Sequence, residues 1–285
     1  MEQLRKDGYE VIEQFYEPIS WAQPAGLRRG YHPQRHQDQG AADRRRRRQP
    51  PEAHHPGRVG VDNIAVKYAE EHGIQVKNTP RASSNAVAEL ALALLFSCAR
   101  NISIAGHTMR ENKWEKKAYS KGFELSGKTM GVIGYGRIGQ LVGARSSLGM
   151  NVLSVVHRNK PEGCECETMH FVTMDELLSQ SDIVVLCAPS GDKPLVDAES
   201  LAKMKDGVVI INVSRGANVN EAALLDALNS GKVKAAGLDV WLSEKDPNCP
   251  GSHPAVSCTP HIGAGTKEAQ KRIGAELVDI VENFG

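Results

Sequence analysis

Three polar side chains, Arg215, Glu244 and His261, could together bind a carboxylate and move a proton. Arg215 comes directly after an apolar run, so its guanidinium could clamp a substrate carboxylate and the neighbouring carbonyl oxygen. His261 follows a Thr-Pro pair and could exchange a proton with a substrate hydroxyl, while Glu244 could hold the second imidazole nitrogen and raise its basicity. Each side chain alone is more typical of a surface charge or a satisfied polar group. Their joint placement is what predicts a catalytic site.

The elements that must position these side chains follow the alternation typical of a parallel sheet covered by helices, from about residue 79 to residue 261. Short apolar runs bounded by Gly, Pro or Asp predict buried strands, at 130–134, 152–156, 182–188, 208–214, 235–240 and 256–259. Amphipathic stretches predict helices, at 86–99, 138–148, 221–228 and 267–284. Because open α/β sheets bind ligands beyond the carboxyl ends of their strands, we expect the three polar residues at that edge.

The segment Gly134-Tyr-Gly-Arg-Ile-Gly139 leaves the first of these strands and enters a helix directly. Gly134 permits the tight turn, Gly136 lets the backbone approach a pyrophosphate, and Gly139 lets the helix pack closely on the strand. The N-terminus of the helix then faces the anion. In this strand-turn-helix context the glycines predict a dinucleotide-binding turn rather than a purely structural one.

The end of the second strand, at Val156, His157 and Arg158, is where the ribose of a dinucleotide should lie. An acidic residue about 20 positions after the first glycine normally binds the ribose hydroxyls of NAD, but this stretch of sequence has no carboxylate. Arg158 could instead pair with the 2′-phosphate of NADP. We therefore favour NADP(H) over NAD(H). The alternative is that Arg158 is a solvated charge and that backbone and water hold the ribose.

The chain resembles the D-isomer-specific 2-hydroxyacid dehydrogenases, and within that family the D-3-phosphoglycerate dehydrogenases. The segments that carry the resemblance are Val59-Gly-Val-Asp-Asn-Ile64, Asn78-Thr-Pro80, Ser84-Asn-Ala-Val-Ala-Glu89, Gly134-Tyr-Gly-Arg-Ile-Gly139, Ser214-Arg-Gly216, Gly237-Leu-Asp-Val240 and Thr259-Pro-His-Ile-Gly-Ala264. The resemblance implies a Rossmann-type doubly wound parallel α/β sheet at 79–262, with a smaller, incomplete flavodoxin-like α/β substrate domain at 1–78 and 263–285. It also implies hydride transfer between a nicotinamide cofactor and a D-2-hydroxy or 2-oxo acid, with 3-phosphoglycerate as the favoured substrate.

The same resemblance implies roles for residues that spacing alone does not single out. Asp239 would contact the carboxamide of the nicotinamide, and the backbone of Val59 and Gly60 would bind the substrate carboxylate, while the three polar residues keep the roles given above. Further cofactor contacts are expected at the ends of the elements, from Arg137, Ile138, His157, Ala188, Pro189, Val213, Ser214, Gly263 and Ala264. The chain departs from the family pattern at Lys245, where the family has proline, and at Val156, where the family has its acidic ribose ligand.

Residues 21–58 do not follow this order, because they are crowded with Arg, Gln, His and Pro and predict no helix or strand. A basic arm for nucleic acid and a disordered loop are two interpretations. The third is a frameshift. Translated one base later, the degenerate codons of residues 30–39 permit Val-Ile-Ile-Arg-Ser-Ala-Thr-Lys-Ile-Lys, and those of residues 53–58 permit Leu-Ile-Ile-Arg-Ala-Gly. Both products are strand-like, so we favour the frameshift and expect residues 21–58 to be non-native sequence.

Composition bounds the class of partner. A net charge of +1 over 285 residues creates no global field that would attract nucleic acid or a membrane surface, and no apolar run approaches the roughly 20 residues of a membrane span. We expect small-molecule partners. Scattered cysteines without a secretory leader predict a cytoplasmic protein with reduced thiols. Cys164 and Cys166 lack the spacing of a zinc site, so we expect no metal.

The apolar residues of the predicted helix at 86–99 cover more than one of its faces, which predicts a homodimer built on this helix. Two other function classes compete with the dehydrogenase. One is a cofactor-sensing interaction protein of the same fold, and the other is a cofactor-binding but inactive product of a damaged reading frame. Turnover of a substrate would separate them.

Overall fold

The structure is a computed structural model that describes residues 29–32, 53–56, 65–72, 75–145, 148–155, 168–242 and 250–283. The chain divides into two compact units. The first consists of Met1–Ser83 and Ala264–Gly285, and the second of Ser84–Gly263.

The second unit is built on a seven-stranded parallel sheet in the order β10-β9-β8-β7-β4-β5-β6. Its strands are β4 (Thr129–Ile133), β5 (Asn151–Ser154), β6 (Met169–Phe171), β7 (Ile183–Leu186), β8 (Val208–Asn212), β9 (Val233–Leu238) and β10 (Val256–Cys258). The chain starts in the middle of the sheet and winds outward in both directions, so the order reverses between β4 and β7. This is the doubly wound Rossmann-type sheet predicted from the sequence, and that prediction is confirmed.

The central strands of the sheet are mostly apolar because helices cover both faces of the sheet. All four residues of β7 are buried. Ile183 and Val185 belong to one core cluster, whereas Val184 and Leu186 belong to the other. Successive side chains of a strand point to opposite faces, so the two clusters are the two sides of the sheet. A continuous apolar run is therefore the correct signal for these strands, as the sequence analysis assumed.

The helices of the second unit either precede the first strand of this sheet or lie between successive strands. They are α2 (Ser84–Arg100), α3 (Ile102–Arg110), α4 (Lys116–Tyr119), α5 (Arg137–Arg145), α6 (Met174–Gln180), α7 (Ala198–Lys203) and α8 (Glu221–Asn229). Short 3₁₀ turns occur at Gly216–Asn218 and Pro250–Ser252. Helices α3, α4, α6 and α7 and strand β6 are elements that the sequence patterns did not predict. Both α6 and α7 begin with capping boxes, Thr173 with Glu176 and Asp197 with Ser200. The first of these has the Thr-x-x-Glu pattern that predicts a helix start from sequence.

The described residues of the first unit form a separate parallel sheet in the order β1-β2-β3, together with two helices. Its elements are β1 (Arg29–His32), β2 (Ala53–Pro56), α1 (Val66–Glu71), β3 (Gln75–Val76) and α9 (Lys267–Glu282). Strands β1 and β2 fall in residues 21–58, where the sequence as written predicts no element, and they begin within one residue of the two stretches that translate as strand in the shifted frame. Ala82, Ile273 and Leu277 form a small apolar core in this unit.

Within the described residues, no single helix has the length and apolar composition of a membrane span. The bent pair α2 and α3, which meet at 69°, passes that test by length and composition only. No group of three or more His, Cys, Asp or Glu side chains in the described part of the chain could hold a metal ion.

Most of α2 is buried within its own unit, against the sheet and α5. The large apolar side chains that remain exposed lie at its end and just beyond it. Phe96, Ile102, Met109 and Trp114 are 40%, 56%, 52% and 78% exposed, and we call these four residues the Phe96–Trp114 patch. Exposed apolar side chains that follow one another along the chain in this way are candidates for a surface that another molecule covers.

We predict that a second copy of the chain covers the Phe96–Trp114 patch. The double variant Met109→Ser, Trp114→Ser should then sediment as a monomer at micromolar concentration where the parent chain sediments as a dimer, because the apolar area that drives association is removed. Leu148→Ser is the matched control, since Leu148 is 44% exposed outside the patch. A parent chain that sediments as a well-folded monomer would contradict the prediction.

Candidate active site

Five strand ends lie in one row across the sheet of the second unit. Cα pairing connects Ile133 to Leu186, Leu186 to Asn212, Asn212 to Leu238, and Leu238 to Cys258. Since every strand is parallel, the residues that follow these five positions all leave the sheet at the same edge. That edge carries the glycine turn, the loop with Arg215, Asp239 and the loop with His261.

The glycine turn follows β4 and packs directly on the end of β7. Gly134 has a φ of +97°, and a Cβ placed on it would come within 2.6 Å of the Ala188 backbone nitrogen. A Cβ on Gly139 would overlap the carbonyl oxygen of Gly134. Gly134 excludes any larger residue because of its backbone angle and its contact with Ala188. Gly139 does so because α5 packs closely on the turn.

Gly136 differs from both, because a Cβ there would meet nothing within 4 Å. It stands exposed immediately before α5. Helix geometry leaves the first N–H groups of α5, starting at Arg137 and Ile138, without acceptors inside the helix. An open approach beside free backbone donors at the positive end of a helix fits a pyrophosphate. These residues therefore fit the predicted dinucleotide.

The other predicted cofactor residues occupy different environments. Ala188 is half-buried and Pro189 exposed at the end of β7. Val213 packs into the apolar core, and Ser214 is 7% exposed. Burial also raises the pKa of the neighbouring Cys187 thiol to about 12, so this thiol stays neutral and adds no negative charge near a bound phosphate.

Arg215 follows β8 on a backbone that other loops hold in place. Its side chain is half-buried, and Nη1 donates to the carbonyl oxygen of Ser214 at 2.8 Å. A Cβ on Gly216 would overlap the backbone of Trp241, so the chain leaving β9 lies directly against the Arg215 turn. The indole Nε1 of Trp241 donates to the carbonyl oxygen of Thr259 at 3.1 Å. The loops after β8, β9 and β10 are thereby joined.

Asp239 holds the His261 turn through both of its carboxylate oxygens. It is 1% exposed. Its Oδ1 accepts from Thr259 Oγ1 at 2.6 Å and from the Ile262 backbone N–H at 2.8 Å, and Oδ2 accepts from the Gly263 N–H at 2.9 Å. His261 lies between these bonded residues with a φ of +56°, in the left-handed region. The exposed imidazole is thus presented from a fixed turn.

The same carboxylate retains capacity for the role that the resemblance implied. An ionised carboxylate offers about four acceptor positions, and the bonds around His261 use three of them. One position is left for a donor such as a carboxamide N–H. Asp239 therefore holds the turn, and its contact with a nicotinamide stays a prediction.

The remaining predicted residues lie outside the described part of the chain or at the boundary between the two units. Glu244, Val59 and Gly60, together with His157 and Arg158, lie outside the described residues. Ala264 belongs to the first unit, and Gly263 is the last residue of the second.

The structure adds two buried amides beside Arg215, those of Asn212 and Asn218, that were not predicted from the sequence. Asn212 carried a signal, since it is a polar residue that ends an otherwise apolar run. Asn218 had none.

Comparison with known proteins identifies the family. The model of the D-isomer specific 2-hydroxyacid dehydrogenase NAD binding domain matches residues 92–263. Hydroxypyruvate reductase of Thermotoga maritima is 46% identical over 230 residues, which are 78% of this chain and 73% of that protein. D-3-phosphoglycerate dehydrogenase of Mycobacterium tuberculosis is 40% identical over 227 residues, which are 78% of this chain but 43% of that protein, so the chain spans less than half of its length.

A solved structure gives the same answer. D-lactate dehydrogenase from Aquifex aeolicus, complexed with NAD and lactic acid, superposes with a TM-score of 0.74 at 30% identity, covering 81% of this chain and 75% of that one. The chain therefore belongs to the D-isomer specific 2-hydroxyacid dehydrogenase family, whose NAD-binding domain is its second unit.

Proposed function

We propose that the chain transfers a hydride between a nicotinamide cofactor and a D-2-hydroxy acid, forming or consuming the corresponding 2-oxo acid. The observation that carries the proposal is the row of strand ends, which brings the glycine turn, Arg215 and His261 to one edge of the sheet. A dinucleotide on the glycine turn and a substrate held by Arg215 would share that edge. This proximity is the main requirement of hydride transfer.

The chain's own residues would bind the substrate and move the proton. Arg215 presents a guanidinium anchored on the Ser214 carbonyl, which suits a carboxylate and the adjacent carbonyl oxygen. His261 would donate a proton to that oxygen during reduction and accept it back during oxidation. The bound nicotinamide supplies or accepts the hydride. For each 2-oxo acid reduced, one hydride and one proton are consumed and one hydroxyl group is formed.

The substrate choice follows from the relatives' names. Similarity alone favoured 3-phosphoglycerate, and relatives named D-3-phosphoglycerate dehydrogenase are 40% identical to this chain. The relative named hydroxypyruvate reductase is 46% identical and is covered over 73% of its length. Hydroxypyruvate and its 3-phospho derivative are therefore the first two substrates to compare. They differ only in the phosphate, so the ratio of their kcat/KM values reports whether a phosphate site exists.

We predict that Gly136→Ala weakens binding of NADH at least about tenfold while the fold survives. The added methyl group has open space around it in the protein but would meet the pyrophosphate. Calorimetric titration and thermal unfolding measure the two effects. Gly274→Ala on α9 is the matched control, since a Cβ there also meets nothing within 4 Å, and it should leave the affinity unchanged. Equal affinities in parent and Gly136→Ala would remove the pyrophosphate from this turn.

We predict that NADP(H) binds at least as well as NAD(H), and that Arg158→Ala weakens only the former, because the guanidinium would pair with the 2′-phosphate. Titration of both cofactors into parent and variant is the measurement. Binding of NAD(H) more than about tenfold tighter, unaffected by Arg158→Ala, would show that the ribose is held in another way.

We predict that the chain as written reduces 2-oxo acids poorly and that restoring the shifted frame over residues 21–58 recovers activity. Positioning of reactants contributes about 7–11 kcal/mol to such reactions, and the expected carboxylate donors at Val59 and Gly60 directly follow this segment. Steady-state reduction of hydroxypyruvate compares the two chains. In the restored chain, His261→Ala should lower kcat about 10²- to 10⁴-fold. Equal activity before and after restoration would establish residues 21–58 as native sequence.

A further inference from the structure

Three side chains near Arg215 are polar and yet enclosed by the protein. Asn212, Ser214 and Asn218 are 1%, 7% and 0% exposed. Polar groups removed from water are costly unless their donors and acceptors find partners. Their partners therefore indicate what each side chain does in this place.

The three side chains form a directed series of hydrogen bonds that ends on Arg215. The Asn218 amide Nδ2 donates to Ser214 Oγ at 2.9 Å, and the Ser214 hydroxyl donates to Asn212 Oδ1 at 2.8 Å. Asn212 Nδ2 then donates to the carbonyl oxygen of Arg215 at 2.8 Å. That carbonyl oxygen also accepts the backbone N–H of Asn218 at 3.1 Å. The backbone of Arg215 is thus fixed from two directions.

The amide of Asn218 also contacts the part of the site where the cofactor is expected. Asn218 Nδ2 makes a second donation, to the carbonyl oxygen of Ala188 at 2.9 Å. Ala188 is the residue on which Gly134 packs. The backbone carbonyl of Asn218 accepts the N–H groups of Leu195 and Val196, at 2.8 and 2.9 Å. One side chain therefore ties the end of β7 to the turn that carries Arg215.

Asn218 makes these bonds while leaving one of its own atoms unpaired. Among the described residues, only Thr79 Oγ1 and Asn218 Oδ1 are buried side-chain oxygen or nitrogen atoms without a hydrogen-bond partner. The amide cannot rotate to rescue Oδ1, because Nδ2 already serves two acceptors. An apolar side chain of similar size would fill the same space without an unpaired oxygen. What the amide of Asn218 provides at this position is its two donated hydrogen bonds.

We propose that Asn218 is a positioning residue. Its amide keeps Ala188, against which Gly134 packs, in a fixed position relative to the turn that carries Arg215. The part of this inference that concerns substrate rests on the proposed function, whereas the part that concerns the cofactor rests only on the NAD-binding domain. Loss of the amide would let the two strand ends move independently. Cofactor affinity and the restraint on Arg215 would both fall.

The test compares Asn218→Leu with Asn220→Ala in the full chain. Asn218→Leu removes the unpaired oxygen but leaves the Ala188 carbonyl oxygen without its donor, so its melting temperature should fall by about 2–4 °C. Asn220 caps α8, its Oδ1 accepting the Ala223 N–H at 3.1 Å, and it has no bond to the network. Asn220→Ala should lower the melting temperature by about 2–4 °C. A difference in cofactor affinity between the two variants then reports on positioning rather than on stability.

Two further measurements read out positioning without turnover. Calorimetric titration should show NADH binding about tenfold weaker in Asn218→Leu and unchanged in Asn220→Ala. Modification of Arg215 by phenylglyoxal, mapped by mass spectrometry with exposed Arg110 as the in-chain reference, should be faster in Asn218→Leu alone. If Asn218→Leu does not fold, Ser214→Ala breaks the link to Asn212 and should also speed modification of Arg215.

Unchanged NADH affinity together with unchanged Arg215 modification in Asn218→Leu would overturn the proposal. Equal losses of affinity in Asn218→Leu and Asn220→Ala would overturn it as well, because they would reveal a merely structural effect. Loss of affinity and faster modification in Asn218→Leu, in a protein that turns over no 2-oxo acid even after frame restoration, would uphold the positioning role and refute the proposed function.

Discussion

The contact of Gly134 with Ala188, where no side chain fits, is the constraint on which the rest of the site depends. It lies at the point where the strand order of the sheet reverses, so the chain leaves β4 and β7 in opposite directions and opens a crevice between them. A larger residue at Gly134 would push these strand ends apart. The alignment of the strand ends from β4 to β10 then follows from the backbone pairing that continues outward from this contact.

Two polar devices turn this aligned edge into a site. Buried Asp239 fixes the turn that carries His261, and the amides of Asn212 and Asn218 fix the turn that carries Arg215. In both cases the hydrogen bonds go to backbone groups. The side chains of His261 and Arg215 project from these turns. Low dielectric surroundings strengthen both sets of bonds, because water does not compete for the buried partners. The exposed imidazole and half-buried guanidinium therefore stand on rigid supports.

Much of this arrangement was predictable from local sequence. The six predicted strands exist, with ends that differ by a few residues, because buried parallel strands are continuous apolar runs. Strand β6 was missed since its three residues, Met169–Phe171, include a histidine and lack such a run. The link between Asn218 and Ala188 could not be predicted, because it joins residues thirty positions apart through folding alone. The family resemblance identified Asp239, whereas its hydrogen bonds to the turn around His261 depend on the folded loops and could not be predicted.

The row of strand ends also divides the loops of the second unit by their tolerance to changes in length. Each site residue at the carboxyl edge follows the last paired residue of its strand at a fixed number of positions. One residue inserted between the two would therefore displace the site residue. The lengths of the turns at the opposite edge do not set the positions of these residues. The exposed turn between α8 and β9, where Gly231 adopts a φ of +80°, is one of them. A tag, a reporter domain or new chain termini placed in that turn would leave the spacing of the site intact.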